Sequence, residues 1–399
     1  MRRLCCALML LTLLAACAAP AAPAEPDPPP ELEAQEPAPP PEPVREPYEI
    51  GDPTQEREGY VPWTGVVEHL FFHPVIAYPE LAFDGDAQAN GLDDFMVTVD
   101  EYNKILQSVY EKDYVLVDIN SVWSEEEGED GPKMVRNTLY LPEGKKPLVL
   151  SYDDTNYYPY MLENGLTYKL VIGDDLKIAS WGLDPQGNEV VSRELDAIPI
   201  LDKFVEEHPD FSPFGAKGCL SLTGYEGILG YRTQTDTKEW DDVKEAARQK
   251  EREAVLPIIE ELRRTGWTFG SHTWGHIRLG SGNMTKIEAD TQRWLDEVGS
   301  LVGETTILFY PHGERPDGND WTLTGPAFQY LQAQGFRVFC SVGVESFSFI
   351  KKDICAVICD RLHPDGTTLR HSRDRYLQFY DAKDIMDVDV RPQREISWE

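Results

Sequence analysis

The stretch Lys145-Lys146-Pro147-Leu148-Val149-Leu150-Ser151-Tyr152-Asp153-Asp154 decides how this chain is read. A short apolar run rich in β-formers ends in two adjacent carboxylates, the pattern of a buried strand that delivers acids to a pocket. Side chains alternate faces along a strand, so neighbours share one site only where strand gives way to loop. Asp153 and Asp154 stand at such an end. A second stretch, Phe269-Gly270-Ser271-His272-Thr273-Trp274-Gly275-His276, carries two histidines four residues apart, which project from one side of a helical turn. A third, Phe309-Tyr310-Pro311-His312-Gly313, also follows an apolar run.

Towards the N-terminus, Met1-Arg2-Arg3 and the apolar run Leu4 to Ala16 read as a secretory signal, too short to span a bilayer. Its ending, Leu14-Ala15-Ala16-Cys17, resembles a bacterial lipoprotein box, which implies a signal over residues 1–17, a lipidated Cys17 and export to the cell surface. Residues 18–59 are Pro, Ala and Glu with little apolar bulk; they cannot offset their chain entropy and read as a disordered tether. The remaining 60–399 suits one large α/β barrel or two ordinary domains. A net charge of -33 argues against nucleic acid, which needs a basic footprint. Past the signal the cysteines are Cys219, Cys340, Cys355 and Cys359. Their spacing matches no zinc pattern, and Cys355 and Cys359 read as core thiols or one disulfide.

Strand-like runs fall at Val66–Ile76, Tyr114–Val117, Lys145–Tyr152, Cys219–Leu222, Trp267–Gly270, Thr306–Tyr310 and Phe336–Cys340. Helices are expected from about Val99 to Lys112, Ile198 to Glu207, Lys238 to Arg264 (kinked or restarted at Pro257), Lys286 to Leu301 and Gly325 to Gln334. Thr285 with Glu288 predicts a capping box for the fourth. The acidic patch Glu125–Asp130 reads as a loop, and turn signals between Leu166 and Glu194 predict two hairpins inserted at about 162–196. Strands alternating with helices imply parallel pairing. About seven units favour a distorted or incomplete (β/α) barrel, which puts its chemistry at the C-terminal ends of strands. The Asp pair, the His pair and Pro311-His312-Gly313 then share one face.

Two imidazoles and one carboxylate make an open site that suits Zn²⁺ or a similar divalent ion. One carboxylate of the pair binds the ion while the other takes a proton from water whose pKa the ion lowers to roughly 7. These residues suffice for hydrolysis of an amide or ester.

Ser151-Tyr152-Asp153-Asp154-Thr155 resembles the first motif of the polysaccharide deacetylases, carbohydrate esterase family 4 (the NodB homology domain). His272 to His276 is similar to that family's second motif. Residues 309–313 resemble the third, closest to the form in extracellular poly-N-acetylglucosamine deacetylases. The resemblance covers about Val66 to Leu369. It implies Asp153 as general base, Asp154, His272 and His276 as ligands of Zn²⁺ (or Co²⁺ or Ni²⁺), and the N–H of His312 as oxyanion donor beside Tyr310 and Pro311. The family's general-acid histidine matches His371 in Leu369-Arg370-His371, with His363 the other choice. Phe309 and Thr155 depart from the family, which has an Arg that orients the base and a Gly at these places. His73 is similar to a histidine of the family's opening strand, with a core or rim role expected. The implied activity is N-deacetylation of a cell-wall or extracellular glycan, peptidoglycan or poly-N-acetylglucosamine, by an enzyme that meets the membrane only through its lipid anchor. The alternative is a glycan-binding lipoprotein on the same fold with impaired chemistry.

Overall fold

Residues 147–153 are buried throughout, as in a strand covered on both faces. That strand belongs to a ring of seven parallel strands in a computed structural model, which describes residues 45–398 apart from 46, 130, 236–240, 320 and 352–353. The signal, Cys17 and the tether up to residue 44 lie outside the described residues. The ring strands are β1 (Glu68–Phe72), β2 (Lys146–Asp153), β3 (Cys219–Leu222), β4 (Thr268–Ser271), β5 (Ile307–Phe309), β6 (Val338–Val342) and β7 (Val357–Arg361). From β1 to β7 each pairs in parallel with the next. Two backbone hydrogen bonds join the end of β7 back to β1: Phe71 N–H to Leu362 O and Leu362 N–H to His69 O, both 2.9 Å. The expected distorted (β/α) barrel is therefore present and nearly closed.

The helices follow their sequence signals with some shifts. Helix α1 (Val99–Glu111) opens on a full capping box, Thr98 with Glu101. Helix α2 is Ala197–Glu207, and α3 (Asp242–Arg264) runs through Pro257 as one element rather than restarting there. Helix α4 (Met284–Trp294) starts earlier than expected, because Asn283 and not Thr285 caps it by accepting from Lys286 N–H. A π-helical turn at Leu295–Gly299 ends its regular part. Helix α5 is Pro326–Ala333.

Period-two alternation sorts the strand side chains. Leu148, Leu150, Tyr152, Leu220 and Leu222 pack outward against Tyr102, Ile105 and Leu106 of α1 and Val255, Ile258, Ile259 and Leu262 of α3. Val149, Cys219, Ile307, Phe309, Val338, Cys340, Val357 and Cys359 fill the other face, the barrel interior. All four described cysteines are buried and unpaired, so no Cys355–Cys359 disulfide forms. The two hairpins expected near 166–194 merge into one three-stranded antiparallel sheet, Lys169–Ile172, Ile178–Leu183 and Glu189–Ser192. The acidic patch is not a loop: Trp123–Gly128 pairs antiparallel with Gly131–Arg136, its glutamates facing water while Trp123 and Met134 turn inward. Residues 47–59, expected in the tether, join the barrel: Gly51 N–H donates to Phe214 O (2.9 Å), Tyr48 to Gly215 O (2.9 Å) and Tyr140 N–H to Pro53 O (2.7 Å). Tyr48 and Pro53 give this segment enough bulk to pack.

The C-terminal tail returns to lock the wall of residues 88–101. Arg391 donates to both oxygens of Glu101 (2.7 and 2.6 Å) and to Asp93 (2.9 Å), and Arg370 adds a bond to Asp93 (2.7 Å). Arg391, Asp93 and Glu101 have no exposed side-chain surface in these pairs. Buried carboxylates stripped of a cation are costly, so Arg391→Ala should lower the unfolding free energy by about 3–5 kcal/mol. Urea denaturation followed by far-UV circular dichroism reads this directly. A loss below about 1 kcal/mol, the range of exposed pairs, would show that the cluster does not anchor the wall.

Candidate active site

Several strand ends contribute to one pocket of about 430 Å³, lined by His73, Asp153, Asp154, Tyr160, His272, His276, Tyr310, His312 and His363 among others. These residues come from the C-terminal ends of β1, β2, β4, β5 and β7, where a barrel of this class places its loops. Asp153 closes β2 facing inward. Asp154 then takes a left-handed backbone (φ 59°), which turns the second carboxylate to the same pocket. The backbone is also left-handed at His276 (φ 49°) and His312 (φ 58°), so strained positions gather at this site.

His272 and His276 do not lie on a helical turn as the spacing suggested; they stand in a loop after β4. The loop is shaped by Asp290 of α4, which accepts from Trp274 N–H and Gly275 N–H (both 2.7 Å), and by Thr273, whose hydroxyl accepts from Ile277 N–H (3.0 Å). His272 Nδ1 lies 3.0 Å from the carbonyl of Phe309, which fixes that nitrogen as the N–H and leaves Nε2 as an electron-pair donor. Among the described residues, Asp154, His272 and His276 are the His, Cys, Asp and Glu side chains grouped to hold an ion, each offering an atom within 4.8 Å of the others. Their chemistry, two imidazoles and a carboxylate, fits a divalent ion of the zinc type. Burial, the largest cause, holds the His276 pKa down to about 4, which keeps its imidazole neutral and able to ligate.

Asp153 is held differently. Arg361, wholly buried at the end of β7, donates from Nη1 to Oδ1 and from Nη2 to Oδ2, both at 2.8 Å. The guanidinium sits over the rings of Phe71 (4.0 Å) and Phe309 (4.5 Å). Burial opposes the charge on Asp153, yet Arg361 and then His272 outweigh it and keep the pKa well below the ordinary carboxylate value. Phe309, which stands where the resembled family has its Arg, thus forms the face on which a different Arg rests. Arg361 was missed from the sequence because no strand was assigned to Val357–Arg361. The signal present is an apolar triplet ending in charge, Val357-Ile358-Cys359-Asp360-Arg361.

On the wall opposite, His73 Nδ1 lies 3.0 Å from His363 Nε2, and His363 Nδ1 lies 2.9 Å from Asp365. His73 Nε2 points to Asp154 at 3.8 Å. Burial, then the neighbouring His363, lowers the His73 pKa to about 4. His73 is therefore a pocket residue and not a core one. The structure does not bring His371 to this site. It is exposed on the short helix Gly366–His371, 3.0 Å from Ser397, because that helix begins beyond His363 and turns away from the barrel mouth. Tyr310 is buried among Ile277, Phe328 and Phe339, with its backbone N–H donating to Cys340 O (2.8 Å). Pro311-His312-Gly313 forms a single tight turn at the rim, and the His312 ring stacks edge-on to His276 at 4.4 Å.

No protein-family model and no curated protein matches this sequence. Among the solved structures to which the chain is loosely similar are three that each span about four fifths of it. One is a Streptococcus pyogenes deacetylase, PplD, solved with acetate (TM-score 0.40, 11% identity, 79% of this chain and 99% of that one). The others are IcaB from Ammonifex degensii (0.41, 12%, 81% and 98%) and a polysaccharide deacetylase from Bacillus cereus (0.41, 12%, 81% and 69%). What this pocket can do is read from its own atoms.

With Arg361 in place, the depressed Asp153 pKa stabilises the fold above about pH 4, and that contribution is lost as pH falls through the folded-state pKa. Removing the guanidinium leaves burial as the dominant influence, so Arg361→Gln should raise the Asp153 pKa above the ordinary 3.8. Carboxyl ¹³C titration of the metal-free protein checks the sign. An Asp153 that still titrates below that value in the variant would mean that Arg361 is not what holds its charge.

Proposed function

We propose that this chain is a metal-dependent N-deacetylase of an N-acetylated polysaccharide, hydrolysing an acetamide to an amine and acetate. The observation that carries this reading is the meeting of two differently held carboxylates in one pocket. Asp154 lies with His272 and His276, and Asp153 is locked by Arg361. Asp154, His272 and His276 would hold the ion, Zn²⁺ first and Co²⁺ or Ni²⁺ as alternatives. When bound, such an ion supplies Lewis acidity, polarising an acyl oxygen and lowering the pKa of water to roughly 7.

The chain's own groups account for the proton transfers. Asp153 is the general base: it takes a proton from the water that attacks the acetamide carbon, and Arg361 keeps the carboxylate ionised and aimed. The backbone N–H of His312, at the pocket rim, donates to the oxyanion that develops. The C–N bond then breaks, and the leaving nitrogen needs a proton. Asp153, having taken the proton from water, can return it to this nitrogen. The neutral His73, backed by His363 and Asp365, faces the pocket through Nε2 as a polar partner for the leaving group, and the exposed His371 takes no part. Arg361 also removes the main support for a catalytically impaired binding protein, since the base has its orienting cation after all.

The acidic, exported character expected of the sequence and the box at Cys17 support a substrate outside the cell, peptidoglycan or poly-N-acetylglucosamine, and an anchor at Cys17 that holds the barrel near the membrane. No helix among the described residues is long and apolar enough to cross a membrane.

The test pairs metal content with acetate release from acetylated chito-oligomers and peptidoglycan. Wild type is expected to hold one divalent ion and release acetate. Asp153→Asn should keep the ion and lose activity by about 10²–10⁴-fold, the usual worth of a positioned base. Metal binding with no acetate from either glycan would defeat the deacetylase reading, and no metal binding at all would defeat the site.

A further inference from the structure

Beside Asp154 stands a stack of three tyrosines that none of the proposed chemistry uses. Tyr158 is the middle ring: its centroid lies 5.3 Å from Tyr225 and 6.0 Å from Tyr160, with interplanar angles of 21° and 17°. The Tyr158 hydroxyl donates to Asp154 Oδ1 at 2.9 Å and lies 3.2 Å from the Thr223 hydroxyl. An ionised carboxylate only accepts, so the phenol must be the donor to Asp154. Burial, then the Asp154 charge, raises the Tyr158 pKa well above its ordinary value, in keeping with a phenol that retains its proton.

The other oxygen, Oδ2, faces the histidines: it lies 3.9 Å from His276 Nε2 and 3.8 Å from His73 Nε2. One oxygen is thus tied back while its partner looks into the pocket. The Tyr158 hydroxyl therefore fixes which of the two oxygens of Asp154 faces the histidines.

Tyr158 is itself firmly placed. Asn156 donates to Thr223 O (2.8 Å) and accepts from Thr223 N–H (3.1 Å). Leu229 N–H and Gly230 N–H bond to the carbonyls of Thr155 and Asn156 (3.1 and 2.9 Å). These bonds weld the loop after β2 to the loop after β3, and the hydroxyl of Tyr158 is delivered by both. Tyr225, exposed on the second loop, and Tyr160, a pocket residue, both stack on the ring.

We infer that Tyr158 is a positioning residue that fixes Asp154 to ligate through Oδ2 alone and so sets the affinity of the site for its ion. This rests on the metal reading of Asp154, His272 and His276. A hydrogen bond from outside the ligand set orients a ligating carboxylate, and loss of such a bond typically costs 10–100-fold in metal affinity.

The experiment is a titration of metal-stripped protein with Zn²⁺ by competition against a chromophoric chelator, for wild type, Tyr158→Phe and Tyr225→Phe. Tyr158→Phe keeps the stack and removes only the hydroxyl. It should bind Zn²⁺ at least tenfold more weakly, while Tyr225→Phe binds as wild type does. Thermal melts of the metal-free proteins show whether either substitution harms the fold. Should Tyr158→Phe melt early, X-ray absorption of the Zn²⁺-loaded wild type serves in its place, with a single carboxylate oxygen at about 2.0–2.2 Å expected from Asp154. Equal affinity of wild type and a folded Tyr158→Phe overturns the inference and leaves the metal site standing, as do two carboxylate oxygens bound at equal distance. Wild type that binds no Zn²⁺ overturns the site and the inference with it.

Discussion

The buried pair between Arg361 and Asp153 is the constraint on which the rest of the site depends. A carboxylate with 3% exposure would surrender its charge unless a cation repaid the lost hydration, and the pair is bidentate for that reason. The pair also spans the barrel. Asp153 ends β2 and Arg361 ends β7, so the two meet only because the end of β7 returns to β1, the neighbour of β2. Ring closure and the ionisation of Asp153 are in this sense one structural fact. Ser151, which accepts from Arg361 (3.0 Å) and lies 2.9 Å from His69, continues the polar layer inward.

Much of this was legible in the chain. The apolar run from Pro147 to Leu150 and the acids after it placed a strand end correctly, because strand burial and loop polarity both follow from periodicity. The structure brings the two histidines together with Asp154, although the helical turn supposed to join them is a loop. What bends that loop is Asp290, fourteen residues beyond His276, and a bond of that kind leaves no mark in local spacing. Arg361 and His73 were harder. Each is set by ring closure, which pairs residues some 290 positions apart, and no pattern within a window of ten reports it. His371 failed for the converse reason. Its Leu-Arg-His context matches a motif, but the capping box at Asp365 and Thr368 starts a helix that carries the side chain to the surface.

Two adjacent, chemically identical carboxylates are held in different ways by what surrounds them. Asp153 receives a full positive charge on both oxygens, which favours ionisation and leaves lone pairs for a proton. Asp154 receives a neutral phenol on one oxygen and presents the other to two imidazoles. Exchanging these partners would put a cation against Asp154, where it would compete with the proposed ion for the same electron pairs, and would leave Asp153, the proposed base, without charge support. The backbone enforces the assignment before any side chain acts. A strand residue faces inward to the barrel and meets Arg361, whereas the left-handed turn at Asp154 faces the loop after β4. The division of labour thus follows from a single change in φ between consecutive residues, at the point where β2 ends.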